Sequence, residues 1–188
     1  MVGVHIVDYD RDWPDRAAEV SLSIKNVLNP WIFRIEHIGS TSIFKMAAKD
    51  VIDLQVSVEE LSSVTTTFDA RLRVLGFQLS PHEYDHIPAG LADIKENWAK
   101  RLWTRRNHPE GDVNLHIRRV GSSNERLALL FRDWFRSHPE AVESYGAFKR
   151  SLSVLTLNVD SYSDVKDPVV DLVICVAERW AKEVNWCP

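Results

Sequence analysis

Glu36-His37-Ile38-Gly39-Ser40-Thr41-Ser42 and, after eight intervening residues, Val51-Ile52-Asp53-Leu54-Gln55-Val56-Ser57-Val58 form the stretch on which the fold of this 188-residue chain turns. In the second run Ile52, Leu54, Val56 and Val58 alternate with Asp53, Gln55 and Ser57. That is the period of a β-strand with one apolar and one polar face. The first run ends a shorter strand, Phe33 to Ile38, in a glycine and hydroxyl residues. A strand that stops at Gly-Ser beside a strand carrying a carboxylate has a physical use. Gly39 lets backbone approach a phosphate closely, and backbone N–H groups with the Ser40 and Thr41 hydroxyls can donate to its oxygens. Asp53 can hold Mg²⁺, which bridges and neutralises those oxygens, and Lys45 and Lys49 add positive charge. A plainer account stands beside this one: Ser40 as a helix N-cap and Asp53 as the partner of a basic residue on a neighbouring strand.

Working outward, Asp12-Trp13-Pro14-Asp15 predicts a helix start capped by Asp12. Ala17, Val20, Ile24, Val27 and Leu28 recur at helical spacing until Asn29-Pro30. Beyond the central strand, Leu61, Val64, Phe68, Leu72 and Leu75 predict a helix over 59–75 with Gly76 just past its end, then a short strand over 76–79. Residues 80–97, with Pro81, Pro88 and Gly90, read as a long loop of the kind that binds ligands, closes as a lid or is simply mobile. Strands are expected over 100–106 and 112–120. In the second, Val113, Leu115 and Ile117 oppose Asp112, Asn114, His116 and Arg118. The rest is helical. One stripe holds Leu127, Leu130, Phe131, Trp134 and Phe135, and another Ala141, Tyr145, Phe148 and Leu152. Pro168 is expected to open a last helix that buries Val169, Leu172, Val173, Val176 and Trp180, with Cys175 near its apolar stripe. The order is that of a single α+β, or mixed α/β, domain over residues 1–188: a central mixed sheet flanked by helices, and a helical C-terminal third.

Composition narrows the function classes. The chain is 45% hydrophobic and 27% charged, an ordinary globular balance. Lys plus Arg is 23 against 27 Asp plus Glu, a net charge of -4 that argues against a dedicated nucleic-acid binder. Two cysteines make neither a disulfide framework nor a four-ligand zinc site. No apolar run approaches the ~20 residues of a membrane span, and the start has no basic segment leading into an apolar one, so a cytoplasmic protein is expected.

His82-Glu83-Tyr84-Asp85-His86 matches the zinc-protease pattern, but Pro81 and Pro88 leave no room for the helix that chemistry needs. There is no Gly-x-Ser-x-Gly elbow. Lys100, Arg101, Arg105, Arg106, Arg118 and Arg119 are the main basic concentration, either a solvated face or a means of capturing a polyphosphate. Trp98 and Trp103 are core residues or platforms for a base, the former being the commoner use of large aromatics.

The segments 36–42 and 48–56 resemble the GrpB family, and more closely the GrpB-type domain at the C-terminus of actinobacterial dephospho-CoA kinases. Lys100-Arg101, Val113 to Arg118, Ala128 to Trp134, Tyr145 to Lys149, Tyr162 to Pro168 and the Trp-rich end extend the likeness along almost the whole chain. The resemblance implies a nucleotidyltransferase-like fold, a superfamily marked by a Gly-Ser turn and an Asp-x-Asp or Asp-x-Glu strand. Gly39, Ser40 and Asp53 match, while Gln55 stands where the second carboxylate would be. On this reading Asp53, Gln55 and His116 are the catalytic candidates, with Asp53 the ligand of Mg²⁺. Gly39, Ser40, Thr41, Lys49, Lys100, Arg101, Asn114 and Arg118 would bind phosphate or substrate. The implied partner is a nucleotide or another phosphorylated or acidic small molecule, and the implied reaction is nucleotidyl transfer to a small acceptor. A catalytically inactive binding or chaperone-like module, or a small-metabolite transferase or ligase using the same pocket, would suit the same fold. No Gly-x-x-x-x-Gly-Lys-Ser/Thr occurs, so kinase activity does not carry over.

Overall fold

A five-stranded sheet in the order β1-β2-β5-β4-β3 organises the molecule. The computed structural model describes residues 4–155 and 159–188. The strands are β1 (Arg34–Ile38), β2 (Val51–Val58), β3 (Gln78–Leu79), β4 (Lys100–Arg105) and β5 (Asp112–Arg119), and the helices are α1 (Trp13–Leu28), α2 (Val64–Val74), α3 (Ser123–Ser137), α4 (Pro139–Leu155) and α5 (Val159–Glu183). Only β2 and β5 pair in parallel; the other neighbours are antiparallel. The mixed α/β architecture with a helical C-terminal third is the one expected. No helix among the described residues is long and apolar enough to cross a membrane.

The alternation of β2 and β5 sets the two sides. Ile52, Leu54, Val56 and Val58 join Val113, Leu115 and Ile117 in the main core, beneath Trp13, Ile24 and Leu28 of α1 and Phe68 and Leu72 of α2. The opposite face carries the polar residues in register, Asp53 beside Asn114, Gln55 beside His116 and Ser57 beside Arg118. Here the structure departs from a solvated face. The helical C-terminal third and the 80–97 segment cover it, so Gln55 and Ser57 are fully buried. Glu125, near the start of α3, seals one end. It accepts from Ser57 Oγ at 2.5 Å and the Gly121 N–H at 2.9 Å and pairs with Arg34 at 2.8 Å.

Several local expectations need correction. Asp12 precedes α1 but makes no side-chain cap; its own N–H instead donates to Asp10 Oδ1. α2 begins at Val64 rather than 59, while its end is as read: Gly76 is at φ +81°, and Phe77 N donates to Leu72 O and Gly76 N to Arg73 O, a Schellman closure. Pro168 lies inside α5 and does not open it. The turns before it are held by burial of Tyr162 against Val4 and Leu152, which outweighs the proline's local cost. The buried face of α5 is turned by about one residue from the expected stripe. Ala177 and Ala181 pack on Leu130 of α3, their small side chains permitting close approach, while Leu172, Val176 and Cys175 are exposed.

Residues 80–97 form a wall of the molecule. Ser80, Asp85 and Lys100 exchange backbone hydrogen bonds with Leu102, Trp98 and Glu83, which extends the pairing along β4. Asp93 then accepts from Trp98 Nε1 at 2.9 Å, Asn97 Nδ2 at 2.7 Å and Ser123 Oγ at 2.5 Å. Trp98 and Trp103 are core residues, both buried. The His82-to-His86 segment is not helical, and no three His, Cys, Asp or Glu side chains among the described residues could hold a metal ion together.

Candidate functional site

Between the polar sheet face, the helices α3 to α5 and the 80–97 wall lies a cleft of about 770 Å³. Its floor is built by the strand-turn of β1 and the adjacent β2. Gly39 has φ +68° and ψ −169°, a conformation open essentially to glycine alone. A Cβ there would stand 2.6 Å from Asp53 Oδ2. The glycine thus makes the turn and lets it pack directly on the carboxylate. A short 3-10 turn, Ser40–Ser42, follows, closed by Ser42 Oγ donating to Gly39 O at 2.7 Å.

Asp53 is half-buried and well engaged. Asn114 Nδ2 donates to its Oδ1 at 2.7 Å, and His116 Nε2 stands 3.7 Å away. Burial pushes its carboxyl up, but His116, Asn114 and the Lys49 charge hold it below the usual range, so it is ionised at neutral pH. Burial, reinforced by Arg118, lowers His116 and keeps the imidazole neutral. His37 is lowered to about 4, chiefly by burial, and its Nε2 meets Thr41 Oγ1 at 2.9 Å. Thr41 is therefore tied to the turn's own framework.

Two further cationic residues belong to this site: Arg106, read from the sequence as part of the basic concentration, and Lys149, which the sequence reading did not single out. Arg106 bonds Asn114 Oδ1 and donates to Val113 O at 2.9 Å, so Asn114 bridges Arg106 to Asp53. Lys149, from α4, is 3% exposed and donates from Nζ to Ser40 Oγ at 2.8 Å. Burial lowers its pKa to about 7, with Lys166 adding to the effect and Asp53 opposing it. The sequence carried a signal for it. Lys149 shares the buried face of α4 with Val142, Tyr145 and Leu152, a lysine where helical spacing calls for an apolar residue. Lys49 completes the group, 5.4 Å over the Tyr162 ring. Among the described residues none of these three cations has a carboxylate within ion-pair distance; for Lys49 and Lys149 the anion that acts is Asp53.

Other expected site residues serve elsewhere. Gln55 has no free amide: its Oε1 accepts from Arg118 Nη1 and its Nε2 donates to Glu125 O at 3.2 Å. Lys100 Nζ and Arg118 Nε both reach the single Asp85 carboxylate, at 2.6 and 2.8 Å, so they line the cleft already engaged, with one positive charge between them left over. Arg101 is outside the cleft, donating to Lys100 O and facing Glu83 at 3.8 Å, because alternate residues of β4 point to opposite sides. Lys45 is exposed beside Phe44. The donor set answers the question of Mg²⁺. A site that holds two ions does not fit, since Gln55 is locked and Asp53 is the only carboxylate at the turn among the described residues. One ion carried in by phosphates would fit, and Asp53 is the residue that would hold it. A second hollow, about 440 Å³ beside Trp31, Phe33 and Phe68, has only Glu59 and Glu60 as charged lining.

A family model described as GrpB protein matches residues 3–175. A dephospho-CoA kinase of Mycolicibacterium paratuberculosis is 31% identical over 98% of this chain and 48% of its own length. The UPF0157 protein YqkA of Bacillus subtilis is 30% identical over 97% of this chain and 49% of its own. The chain thus spans about half the length of each of these relatives. The crystal structure of the conserved protein GrpB from Enterococcus faecalis superposes with a TM-score of 0.75 at 25% identity, covering 94% of this chain and 99% of that one.

Proposed function

The chain belongs to the GrpB family, and on that premise we propose that its cleft binds a nucleoside triphosphate and transfers the nucleotidyl group to a small acceptor. The observation that carries this reading is that Lys49, Arg106 and Lys149 line one cleft with the Gly39-Ser40 turn, Lys149 on Ser40 itself and Arg106 joined through Asn114 to an ionised Asp53. Three cations without carboxylate partners among the described residues, in a cleft with a turn whose glycine lets backbone come close, suit the charge of a polyphosphate. In the transfer an acceptor oxygen or nitrogen bonds to the α-phosphorus while the α–β bridging P–O bond breaks. Pyrophosphate leaves with the bonding pair, and the acceptor's proton passes to solvent. Ser40, Lys149, Lys49 and Arg106 hold and neutralise the phosphates, and Asp53, fixed by Asn114, would hold the metal ion. Mg²⁺, arriving with the nucleotide, would further neutralise the phosphate charge. A nucleoside triphosphate substrate is in keeping with the expected cytoplasmic location.

The test is a thermal-shift series with nucleoside triphosphates, with and without Mg²⁺. A ligand at 100 times its dissociation constant adds about 2.7 kcal/mol, which for a domain of this size raises Tm by roughly 5–10 °C. The Mg²⁺-dependent part of that shift is expected to vanish in D53A while the variant stays folded. An unchanged Mg²⁺ dependence in D53A would remove Asp53 from the site.

Lys149 adds a pH signature. Its charge is needed to hold phosphate, and it loses its proton near pH 7 in the free protein. Nucleotide affinity should therefore fall by roughly 30-fold between pH 6 and pH 8.5, once the ligand's own ionisation is accounted for. In K149R, which stays charged, the profile should be flat across that window; parallel profiles for the two proteins would assign the proton elsewhere.

One observation favours a second reading, a binding or chaperone-like module. Val165, Leu172 and Val176 form an exposed apolar stripe on α5, and Gln55 occupies the place of a second carboxylate. Recovery of a stoichiometric protein partner without nucleotide, together with an absent thermal shift, would move the assignment to that class. A small-metabolite transferase or ligase using the same pocket would keep the thermal shift but yield no nucleotidyl product.

A further inference from the structure

Ser40 and Lys149 are arranged for more than holding phosphate. α4 lies against the segment before β2 at Gly146, where a Cβ would stand 3.5 Å from Ala47 Cβ. Lys149 is on the same side of the helix, three residues on, and its Nζ reaches Ser40 Oγ at 2.8 Å. The lysine is buried, with Nζ 4.9 Å from the centre of the Tyr145 ring, whereas Ser40 is partly exposed and lines the cleft. The histidines nearest the turn are engaged elsewhere. His37 Nε2 meets Thr41 Oγ1 at 2.9 Å, and His116 faces Asp53 at 3.7 Å. Among the described residues Lys149 is thus the one titratable side chain hydrogen-bonded to Ser40. Its surroundings favour the neutral amine. Burial acts most strongly, Lys166 of α5 adds to it, and Arg150 and Lys49 push the same way, against Asp53 alone. With a pKa of about 7, the amine is neutral in roughly half of the free molecules at pH 7. A neutral amine offers a lone pair, and a serine hydroxyl is a weak nucleophile until such a base takes its proton. A serine with a buried lysine is one of the pairs that stand in for serine, histidine and aspartate.

We propose that in the nucleotide-free cleft Ser40 is a catalytic nucleophile with Lys149 as its general base, and that the pair hydrolyses small carboxylic esters that carry a negative charge. This goes beyond nucleotidyl transfer and does not rest on it. Ser40 Oγ bonds to the ester carbonyl carbon while its proton passes to Lys149 Nζ. The bond from that carbon to the alkoxy oxygen then breaks, and the Lys149 ammonium returns the proton to the leaving oxygen, which departs as an alcohol. Water attacks the acyl group on Ser40 in the same way, giving its proton to Lys149, and the carboxylic acid leaves as Ser40 takes the proton back. The substrate's charge follows from the lining. Lys49, Arg106 and Lys166 border the same cleft, and only Lys166 has a carboxylate within reach, Asp167 at 4.0 Å. A bound nucleotide would occupy these cations and keep Lys149 protonated, so the two activities exclude each other.

A fluorophosphonate, which bonds to an activated serine oxygen and releases fluoride, tests the pair on the full chain. Peptide mapping by mass spectrometry should place a single phosphonyl group on Ser40, and none in S40A. The mapping on the wild type needs no variant, so a misfolded mutant cannot obscure it. The labelling rate should rise with pH through about 7 and level off above about 8, as the amine loses its proton. K149R keeps the charge and a donor but cannot accept the proton, so it should label slower by about 100-fold or more. The anionic ester mono-4-nitrophenyl glutarate should be hydrolysed with a kcat/KM about tenfold or more above that of neutral 4-nitrophenyl butyrate. Absence of label on Ser40, equal labelling of several serines, or a wild-type rate in K149R would overturn the pair. Equal turnover of the two esters would overturn the anionic substrate. Labelling of Ser40 without any nucleotide-induced thermal shift would uphold the pair and overturn the nucleotidyl-transfer reading alone. A thermal shift without labelling would overturn the pair alone.

Discussion

Replacing Asp85 with alanine is expected to destabilise the protein by about 3–5 kcal/mol, the cost of leaving buried charges without their partner. Asp85 receives Lys100 Nζ at 2.6 Å, Arg118 Nε at 2.8 Å and Asn124 Nδ2 at 2.9 Å. Lys100 is 8% exposed and Arg118 5%, so water cannot take over. Burial alone would push the Asp85 carboxyl up, but Arg118 and Lys100 beside it hold it far below the usual range. A depressed folded pKa makes this contribution complete above the unfolded carboxylate value near 4 and lost as pH falls through the folded one. The gap between the wild type and D85A should therefore be constant from pH 5 to 7 and narrow below pH 4. Urea titrations read it as a lower midpoint at unchanged slope. A loss under about 1 kcal/mol would mean that Lys100 and Arg118 are solvated and available to a ligand after all.

The other large effect is at Gly39. G39A is expected to cost about 2–4 kcal/mol, combining a backbone conformation that only glycine adopts readily with a Cβ placed 2.6 Å from Asp53 Oδ2. For a chain of this length that is a fall in Tm of roughly 5–15 °C. The two causes separate in a double-mutant cycle. D53A removes the carboxylate but leaves the backbone strain, so G39A should cost about 1 kcal/mol less in the D53A background. Strict additivity would show that the turn moves away from β2 to accept the methyl group, and that the close packing of Gly39 on Asp53 is not rigid.

The site was partly legible in the sequence, and the boundary follows physical lines. Gly39, Ser40 and Asp53 could be placed because a strand-turn-strand is short and its alternation local. The buried Lys149 left a trace, a charge within an apolar helical stripe, but its contact with Ser40 joins positions 109 residues apart. Lys100, Arg101 and Arg118 looked equivalent in composition. Only β4's alternation, and an aspartate in the 80–97 segment, sent two into a buried pair and the third outside.

The buried face of α5 differs from the sequence expectation for a similar reason. A stripe at helical spacing says that a face is buried, not which of two adjacent stripes wins. Ala177 and Ala181 decided it through what they let approach.

By itself the sequence determined the strands, most of the helices, the polar and apolar sides of the sheet and the Gly-Ser turn. These depend on backbone sterics and on periods of two and 3.6 residues, which act between near neighbours. The tertiary structure alone decided which charges neutralise each other and which stay unpaired around the cleft. Those outcomes depend on burial and on distances of a few ångströms between residues far apart in the chain, where Coulomb and desolvation terms are both large and nearly cancel.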